Sequence, residues 1–588
     1  MEEHSSIFIS LAFDFGTTYS GYAFSFKSSP TDVNVNCNWY AGSGKLVSQK
    51  TSTSLLLDPD GKVHSFGFEA EDKYANLAEE GIHHAWRLFR RFKMFLYNDP
   101  GLASTSTVDD TEGRSYFAIL LFTMAIRFLH QHALQLLNQR NIVVKETDIR
   151  YVITVPAIWG VPAKQFMRVA ATDAGIDGER LKIALEPETA SIWCERQGQR
   201  FTGNKFMLVD LGGGTADISV HEKRPDGRLR NIHAPSGGPW GGTCVDENYI
   251  KFLSEVFGKE ALQDLKKTDM CDYLELMRDF EMKKRAFDFQ SGHWIIFRIP
   301  VSLWNRAENQ LGQTIDNRLR SLTYGSNVTA TSGAKLKVHQ SVVKAWLDEP
   351  VSKLLVHLEK ILKEKHIEDI QHLVLVGGFG ECRYVQQRIQ SELKGMQLIV
   401  PEDAGLVVLK GAVVFGHSPE IIASRVMAFT YGVRRYQRFN PAKHRDEMKV
   451  FKQGEWLVPN CFKVFVRANE EIAIDDSVSY NCTPTGKVSR IVIYMTRERE
   501  PKYTTDAGCK RVASLKLLNS EDIPYTEQKC VVSFLFADTE LIVKAQNRVT
   551  GNVTILPLDL LDKRNSSDIS VDGLSDTLEP DIVESTKL

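Results

Sequence analysis

Two aspartates each close an apolar run and open a glycine-rich turn. The first segment reads Ile9-Ser-Leu-Ala-Phe-Asp14-Phe-Gly16-Thr17-Thr18-Tyr19-Ser-Gly21, and the second Phe206-Met-Leu-Val-Asp210-Leu-Gly212-Gly213-Gly214-Thr215-Ala-Asp217. A strand that ends in Asp-x-Gly and turns straight back exposes successive backbone N–H groups, and glycine lets that backbone approach an anion closely. Thr17, Thr18 and Thr215 add hydroxyl donors. Asp14 and Asp210 are anionic and cannot touch phosphate, but they suit Mg²⁺ or its waters, because a hard cation takes oxygen ligands. The residues after each turn alternate as a strand does (Tyr22, Phe24, Phe26; Ile218, Val220), so each turn closes a hairpin and does not cap a helix. No G-x-x-x-x-G-K-[ST] occurs, which excludes a P-loop. One such turn is compatible with an ordinary hairpin. The pair reads as a duplicated half-site that grips a nucleotide's phosphates from both sides.

The elements that must hold these turns follow from periodicity. Residues 7–416 alternate apolar strands with amphipathic helices, which predicts an α/β architecture. Helical spacing covers 115–140, with Phe117, Leu121, Met124 and Phe128 on one face, and 163–174, ended by Gly175. Residues 149–155 read as a buried strand stopped by Pro156, and 373–376 as another, closed by Gly377-Gly378-Phe379-Gly380. A charged helix spans 280–287, where Glu281 precedes Lys284 and Arg285 at pairing distance. After a linker at 417–425 the texture changes. Short β-type runs separated by turn clusters over 426–560 predict a smaller antiparallel β domain, and the Ser-, Asp- and Glu-rich stretch 561–588 reads as a disordered tail.

Composition narrows the function classes. A chain of 588 residues with 43% hydrophobic and 25% charged residues is of ordinary globular type and long enough for several domains. Its net charge of −2 leaves no basic footprint for nucleic acid. No apolar run reaches transmembrane length, and no basic-then-apolar leader is seen. The nine cysteines are odd in number and lack C-x-x-C spacing, as expected of reduced thiols in the cytoplasm or nucleus. The terminal Ser585-Thr-Lys-Leu588 lies off the peroxisomal S-K-L pattern.

At the level of motifs the chain resembles the 70-kDa heat-shock chaperone family. Ala12-Phe-Asp14-Phe-Gly-Thr-Thr-Tyr19 resembles that family's first phosphate loop and Val209-Asp-Leu-Gly-Gly-Gly-Thr-Ala-Asp217 its second. Val155-Pro-Ala157, Glu186-Pro187 with Thr189-Ala190, Lys284-Arg285 and Val374-Leu-Val-Gly-Gly378 follow in the family's order. The wording around Gly21-Tyr-Ala-Phe-Ser25 and Phe92-Lys-Met94 is most similar to its divergent heat shock 70 kDa protein 12 branch.

The resemblance implies an actin-like, two-lobed ATPase domain with ribonuclease-H-like duplicated halves, followed by a β-sandwich substrate-binding domain without a helical lid. ATP or ADP with Mg would lie between the lobes, its phosphates held by Gly16, Thr17, Thr18, Tyr19, Gly212, Gly213 and Gly214. Asp14 and Asp210 would hold Mg through water, Glu186 would face the attacking water, and Thr215 would contact the γ-phosphate. Lys93 would be the cation near that phosphate, with Arg91 competing for the role. Lys284, Arg285, Gly377 and Gly378 resemble the adenosine side, while pairing with Glu281 is an equally available reading of the two cations. Pro156 matches a hinge proline. Departures from the family pattern stand at Phe379-Gly-Glu381, with Arg383 displaced, and at Trp240-Gly-Gly-Thr243-Cys244. The implied function is a weakly hydrolysing, ATP-dependent chaperone acting on polypeptide clients, with nucleotide-exchange co-chaperones as further partners. A nucleotide-gated adaptor for signalling proteins and a small-molecule kinase are the alternatives.

Overall fold

The computed structural model describes residues 7–41, 46–97, 102–197, 203–290, 292–367, 369–452, 454–474, 476–484, 486–535, 542–557 and 582–584. The apolar runs Ile9–Phe15, Ile149–Val155, Lys205–Leu211 and His372–Val376 form strands that are almost wholly buried, as expected where both faces of a sheet are covered.

Two sheets share one plan. The first runs in the order Leu181–Leu185, Ile149–Val155, Ile9–Phe15, Tyr19–Phe26, Asn34–Val35. The second runs Gln397–Ile399, His372–Val376, Lys205–Leu211, Ala216–Lys223, Leu229–Asn231. In each, the central strand pairs parallel with one neighbour and antiparallel with its hairpin partner. Register sets Asp14 opposite Gly21 and Asp210 opposite Asp217, at the turn end of each hairpin.

The outer parallel strand of each sheet leads to a helix, Glu186–Arg196 in the first and Val407–His417 in the second. These helices pack in a shared core with Ala12, Val152, Leu208 and Val374. A Cβ at Gly411 would overlap the carbonyl oxygen of Thr189, so only glycine permits this approach. Gly411→Ala is therefore expected to destabilise the protein by about 1–3 kcal/mol, the usual cost of overpacking a filled core. Chemical denaturation reads the effect, and an unchanged midpoint would show that the crossing has slack.

Residues 115–117 differ from the helical expectation. They pair with Thr107–Asp109 as a short hairpin, and the helix begins at Ala118 and runs to Gln139. Phe117 is accordingly exposed, while Phe122 packs edge-on to Phe166 of the helix Val161–Asp173 at 5.2 Å.

Beyond the second sheet, Ile422–Val426 pairs parallel with Leu229–Asn231 and antiparallel with Glu471–Ala473. Part of the segment expected to be a linker is thus an ordered strand. The strands Thr430–Arg438, Glu455–Val466, Val488–Thr496 and Lys510–Leu518 pair antiparallel, as do Ser477–Pro484, Cys530–Leu535, Ile542–Asn547 and Val553–Pro557. Both groups contribute to one core, where Phe465 stacks on Phe534 at 4.1 Å. Of the segment expected to be disordered, Ile582–Glu584 is described and pairs with Cys482, Thr483 and Pro484. The rest of 561–588 lies outside the described residues. All nine cysteines are free thiols.

Candidate functional site

The shared plan of the two sheets brings their turns face to face. Thr18 fills the space where a side chain at Gly213 would stand, and Thr17 and Met94 do the same at Gly214. The first turn is held by the Thr53 hydroxyl on the Gly16 carbonyl (2.8 Å) and the Thr53 N–H on the Thr18 carbonyl (2.9 Å). The second is closed by the Gly212 N–H on the Thr215 carbonyl (3.0 Å), and its Gly213 carbonyl accepts the Thr243 N–H at 2.8 Å.

Between the turns lies a cleft of about 590 Å³. Its lining contains every site residue expected from the sequence: Asp14, Gly16, Thr17, Thr18, Tyr19, Lys93, Glu186, Asp210, Gly212, Gly213, Gly214, Thr215, Lys284, Arg285, Gly377 and Gly378. Pro156 lines it too, directly after the strand Ile149–Val155.

The floor is a cluster of buried charges. Asp14, Glu186, Asp210 and Asp217 interact electrostatically there, together with Lys50 and Lys93. Lys93 donates to Glu186 at 2.7 Å and lies over the Trp159 ring at 5.1 Å. Arg91 instead pairs with Asp246 at 2.7 Å, which separates the two cations that competed in the sequence. Lys50 donates to Asp14 at 2.5 Å and to the Gly405 carbonyl at 2.6 Å, so it ties the first turn to the far side of the cleft. Nothing in its local sequence, Ser48-Gln-Lys50-Thr, distinguishes this lysine. Asp217 accepts from the Ile158 N–H at 3.1 Å. It was visible as the last residue of the second motif, but spacing alone assigned it no role.

Burial, reinforced by Glu186, Asp217 and Asp14, holds the Asp210 carboxyl well above its ordinary range, against the lowering pull of Lys50. Burial likewise pushes Glu186 up to about 7, although Lys93 opposes it. Asp217 is raised by burial, with bonds from Ile158 and Thr215 in opposition. An oxygen-rich, charge-excess floor of this kind fits a hard divalent cation, with Asp14 and Asp210 nearest the turns. A cation seated here must displace the protons that Glu186 and Asp210 retain. Mg²⁺ affinity should therefore rise as the pH passes upward through about 7, where Glu186 loses its proton, with proton release. Titration calorimetry in buffers of different ionisation enthalpy checks this; equal affinity and no proton release would sink it. The linked stability has the opposite sense. Carboxyls raised on folding stabilise the cation-free protein below their unfolded values, and that contribution is lost as pH rises through about 7.

The opposite wall carries a second ion-pair group. Lys284 is buried and donates to Asp246 at 2.6 Å, and it pairs with Glu281 at 2.5 Å. Arg285 pairs with Glu281 at 2.7 Å and lies over the Tyr19 ring at 4.9 Å. Burial alone would raise Glu281, but Lys284 and Arg285 outweigh it and hold the carboxyl down at about 2. The two cations thus both line the cleft and pair with Glu281. Phe379 is buried against the second half's core, and Glu381 accepts the Gly405 N–H at 2.9 Å. Arg383 begins the helix Arg383–Glu392 and is not among the described residues that line the cleft.

Comparison with known proteins follows the same pattern. Heat shock 70 kDa protein 12B of Homo sapiens is 30% identical over 95% of this chain and 92% of its own length. Heat shock 70 kDa protein 12A of Mus musculus is also 30% identical, over 95% of this chain and 93% of its own length. Chaperone protein DnaK of Thermoplasma volcanium is 27% identical over 48% of this chain and 42% of its own. Residues 200–403 match the family described as Domain of unknown function (DUF8340).

Proposed function

The chain belongs to the 70-kDa heat-shock protein family, in the branch of the heat shock 70 kDa protein 12 relatives, and on that premise we propose that it is an ATP-binding, chaperone-like protein. In this reading residues 7–416 form an actin-like ATPase domain of two lobes, 417–425 link it onward, and 426–560 form a β-sandwich that contacts polypeptides. ATP hydrolysis is weak and coupled to that contact. The observation that best supports the reading is the meeting of both glycine turns over a floor of buried carboxylates.

The roles follow from chemistry and position. The turns at Gly16 to Tyr19 and Gly212 to Gly214 cradle phosphate oxygens with backbone N–H groups. Asp14 and Asp210 would hold Mg²⁺, which would supply positive charge to offset the phosphates. Lys93 supplies a buried positive charge toward the terminal phosphate. Thr215, whose hydroxyl bonds Asp217 without nucleotide, turns that donor to the phosphate, and Glu186 orients water. Lys284, Arg285, Gly377 and Gly378 bound the adenosine end. Rate enhancement for phosphoryl transfer to water rests on positioning and electrostatics, which these groups supply.

A second reading, a nucleotide-gated adaptor with little turnover, is favoured by one feature. Lys50 and Glu381 both engage Gly405, tying the cleft's far wall by direct bonds. The kinase alternative is disfavoured because a further antiparallel β region, over 430–557, follows the pair of sheets. We place the protein in the cytoplasm or nucleus; no helix among the described residues is long and apolar enough to cross a membrane. The deciding experiment measures ATP and ADP affinity with and without Mg²⁺, then turnover with and without unfolded peptide. Peptide-stimulated hydrolysis supports the chaperone. Tight, Mg-dependent binding without stimulation supports the adaptor. Absence of nucleotide binding overturns both.

A further inference from the structure

Away from the cleft, His83 and His84 occupy a short 3₁₀ turn, His83–Ala85. His83 is 3% exposed and meets the Tyr74 ring edge-on at 5.5 Å. The two imidazole centroids are 4.0 Å apart. Glu112, between the strands Thr107–Asp109 and Ser115–Phe117, reaches both rings. Its Oε1 lies 2.7 Å from His84 Nδ1 and 3.6 Å from His83 Nε2. One donor atom from each of the three residues falls within 4.8 Å of the others.

We infer that His83, His84 and Glu112 form a three-ligand site for a borderline-soft divalent cation, with Zn²⁺ the best fit. Tetrahedral zinc with bonds of about 2.0–2.1 Å sets its ligand atoms roughly 3.3 Å apart. The 2.7 and 3.6 Å separations bracket that spacing. His84, with 67% of its side chain exposed, is free to make the small adjustment. Two imidazoles among three donors select against Mg²⁺ and Ca²⁺, which prefer oxygen throughout. Glu112 already has an outer partner. Arg114 lies 3.5 Å from Glu112 Oε2, leaving Oε1 toward the histidines. Arg114 is itself fixed by Asp110 at 2.9 Å and by the His84 carbonyl at 2.6 Å. Such groups orient first ligands and strengthen binding.

The site also touches the seam between the halves. His83 Nε2 lies 3.2 Å from the carbonyl of Lys267, in the helix Lys259–Thr268. His83 Nδ1 is buried and has no hydrogen-bond partner among the described residues, so Nε2 is the ring's polar anchor. For an ion to bind at Nε2 the neutral ring must change tautomer: the proton leaves Nε2, Nδ1 becomes protonated, the ion takes the freed Nε2 lone pair, and the bond to Lys267 is given up. Cation uptake therefore loosens the helix Lys259–Thr268 from the first half, whatever the cleft binds.

The test titrates the full chain with Co²⁺ and then Zn²⁺. One equivalent of Co²⁺ should give the visible d–d absorption of a tetrahedral nitrogen/oxygen site, and Zn²⁺ should abolish it. His84→Ala and Glu112→Gln, both away from the core, should each weaken uptake at least about tenfold while leaving the melting temperature in EDTA unchanged. Amide exchange over 259–268 should rise on Zn²⁺ addition. Unchanged affinity in both variants, a thiolate charge-transfer band in place of d–d absorption, or no uptake at micromolar Co²⁺ would each overturn the assignment.

Discussion

Asp210→Asn should lower ATP hydrolysis at least about 100-fold while leaving the protein folded. The substitution preserves shape and removes the ionisable carboxyl from a group shared with Asp14, Glu186 and Asp217. Loss of a single preorganised electrostatic group costs about 10²–10³ in turnover where that group acts on developing charge. Stability moves the other way. Asp210 is buried among like charges that push its carboxyl upward, so the neutral amide relieves repulsion. The melting temperature without nucleotide should hold or rise, most clearly above about pH 7, where Glu186 ionises. Single-turnover phosphate release and a melting curve on the same preparation separate the two effects. Wild-type turnover in a folded Asp210→Asn protein would remove this carboxylate from the mechanism.

Arg425→Met carries the largest expected stability cost, about 3–5 kcal/mol at most, because it strands a buried charge. Arg425 makes a two-point ion pair with Glu188 at 2.6 and 2.7 Å. Glu188 is 1% exposed and also accepts the Asn231 amide at 2.9 Å. The pair joins the strand Ile422–Val426 to the helix Glu186–Arg196, whose first residue is the carboxylate on the cleft floor. Loss of the guanidinium should free that strand, read as faster amide exchange over 422–426 and a lower denaturation midpoint. Adding Glu188→Gln should recover most of the loss, since the remaining amide no longer carries an unpaired charge. If the double variant is as unstable as Arg425→Met alone, packing of the arginine stem and not charge is the source.

Much of the scaffold was legible because its signals are local. Apolar runs of strand length, a proline after Val155 and glycine turns after Phe15 and Leu211 mark strands and hairpins without reference to distant residues. The parallel pairing of Ile9–Phe15 with Ile149–Val155, in contrast, joins segments far apart in the chain. The helix Ala118–Gln139 starts three residues later than its apolar spacing predicts. The apolar spacing continued back through Phe117, while strand pairing to Thr107–Asp109 claimed those residues. Lys284 and Arg285 could be read as cleft residues or as partners of Glu281, and the structure assigns them to both. Lys50, Asp246 and Arg425 were not assigned to the site or its support. Their partners lie far along the chain, and a single charged residue carries no periodicity that points to them.

By itself the sequence determined the residue types of two glycine-rich turns, their hairpin form and an α/β order of elements. Those features arise from contacts between near neighbours and from which side chains are apolar. Only the tertiary structure decided that the turns touch, that Lys50 and not a neighbouring residue bridges Asp14 to Gly405, and that Ile422–Val426 joins the second sheet. It also decided the charge state of the floor. Carboxyls that are ordinary in the sequence become proton-retaining once burial and mutual repulsion bring Asp210 and Glu186 into one dry cluster.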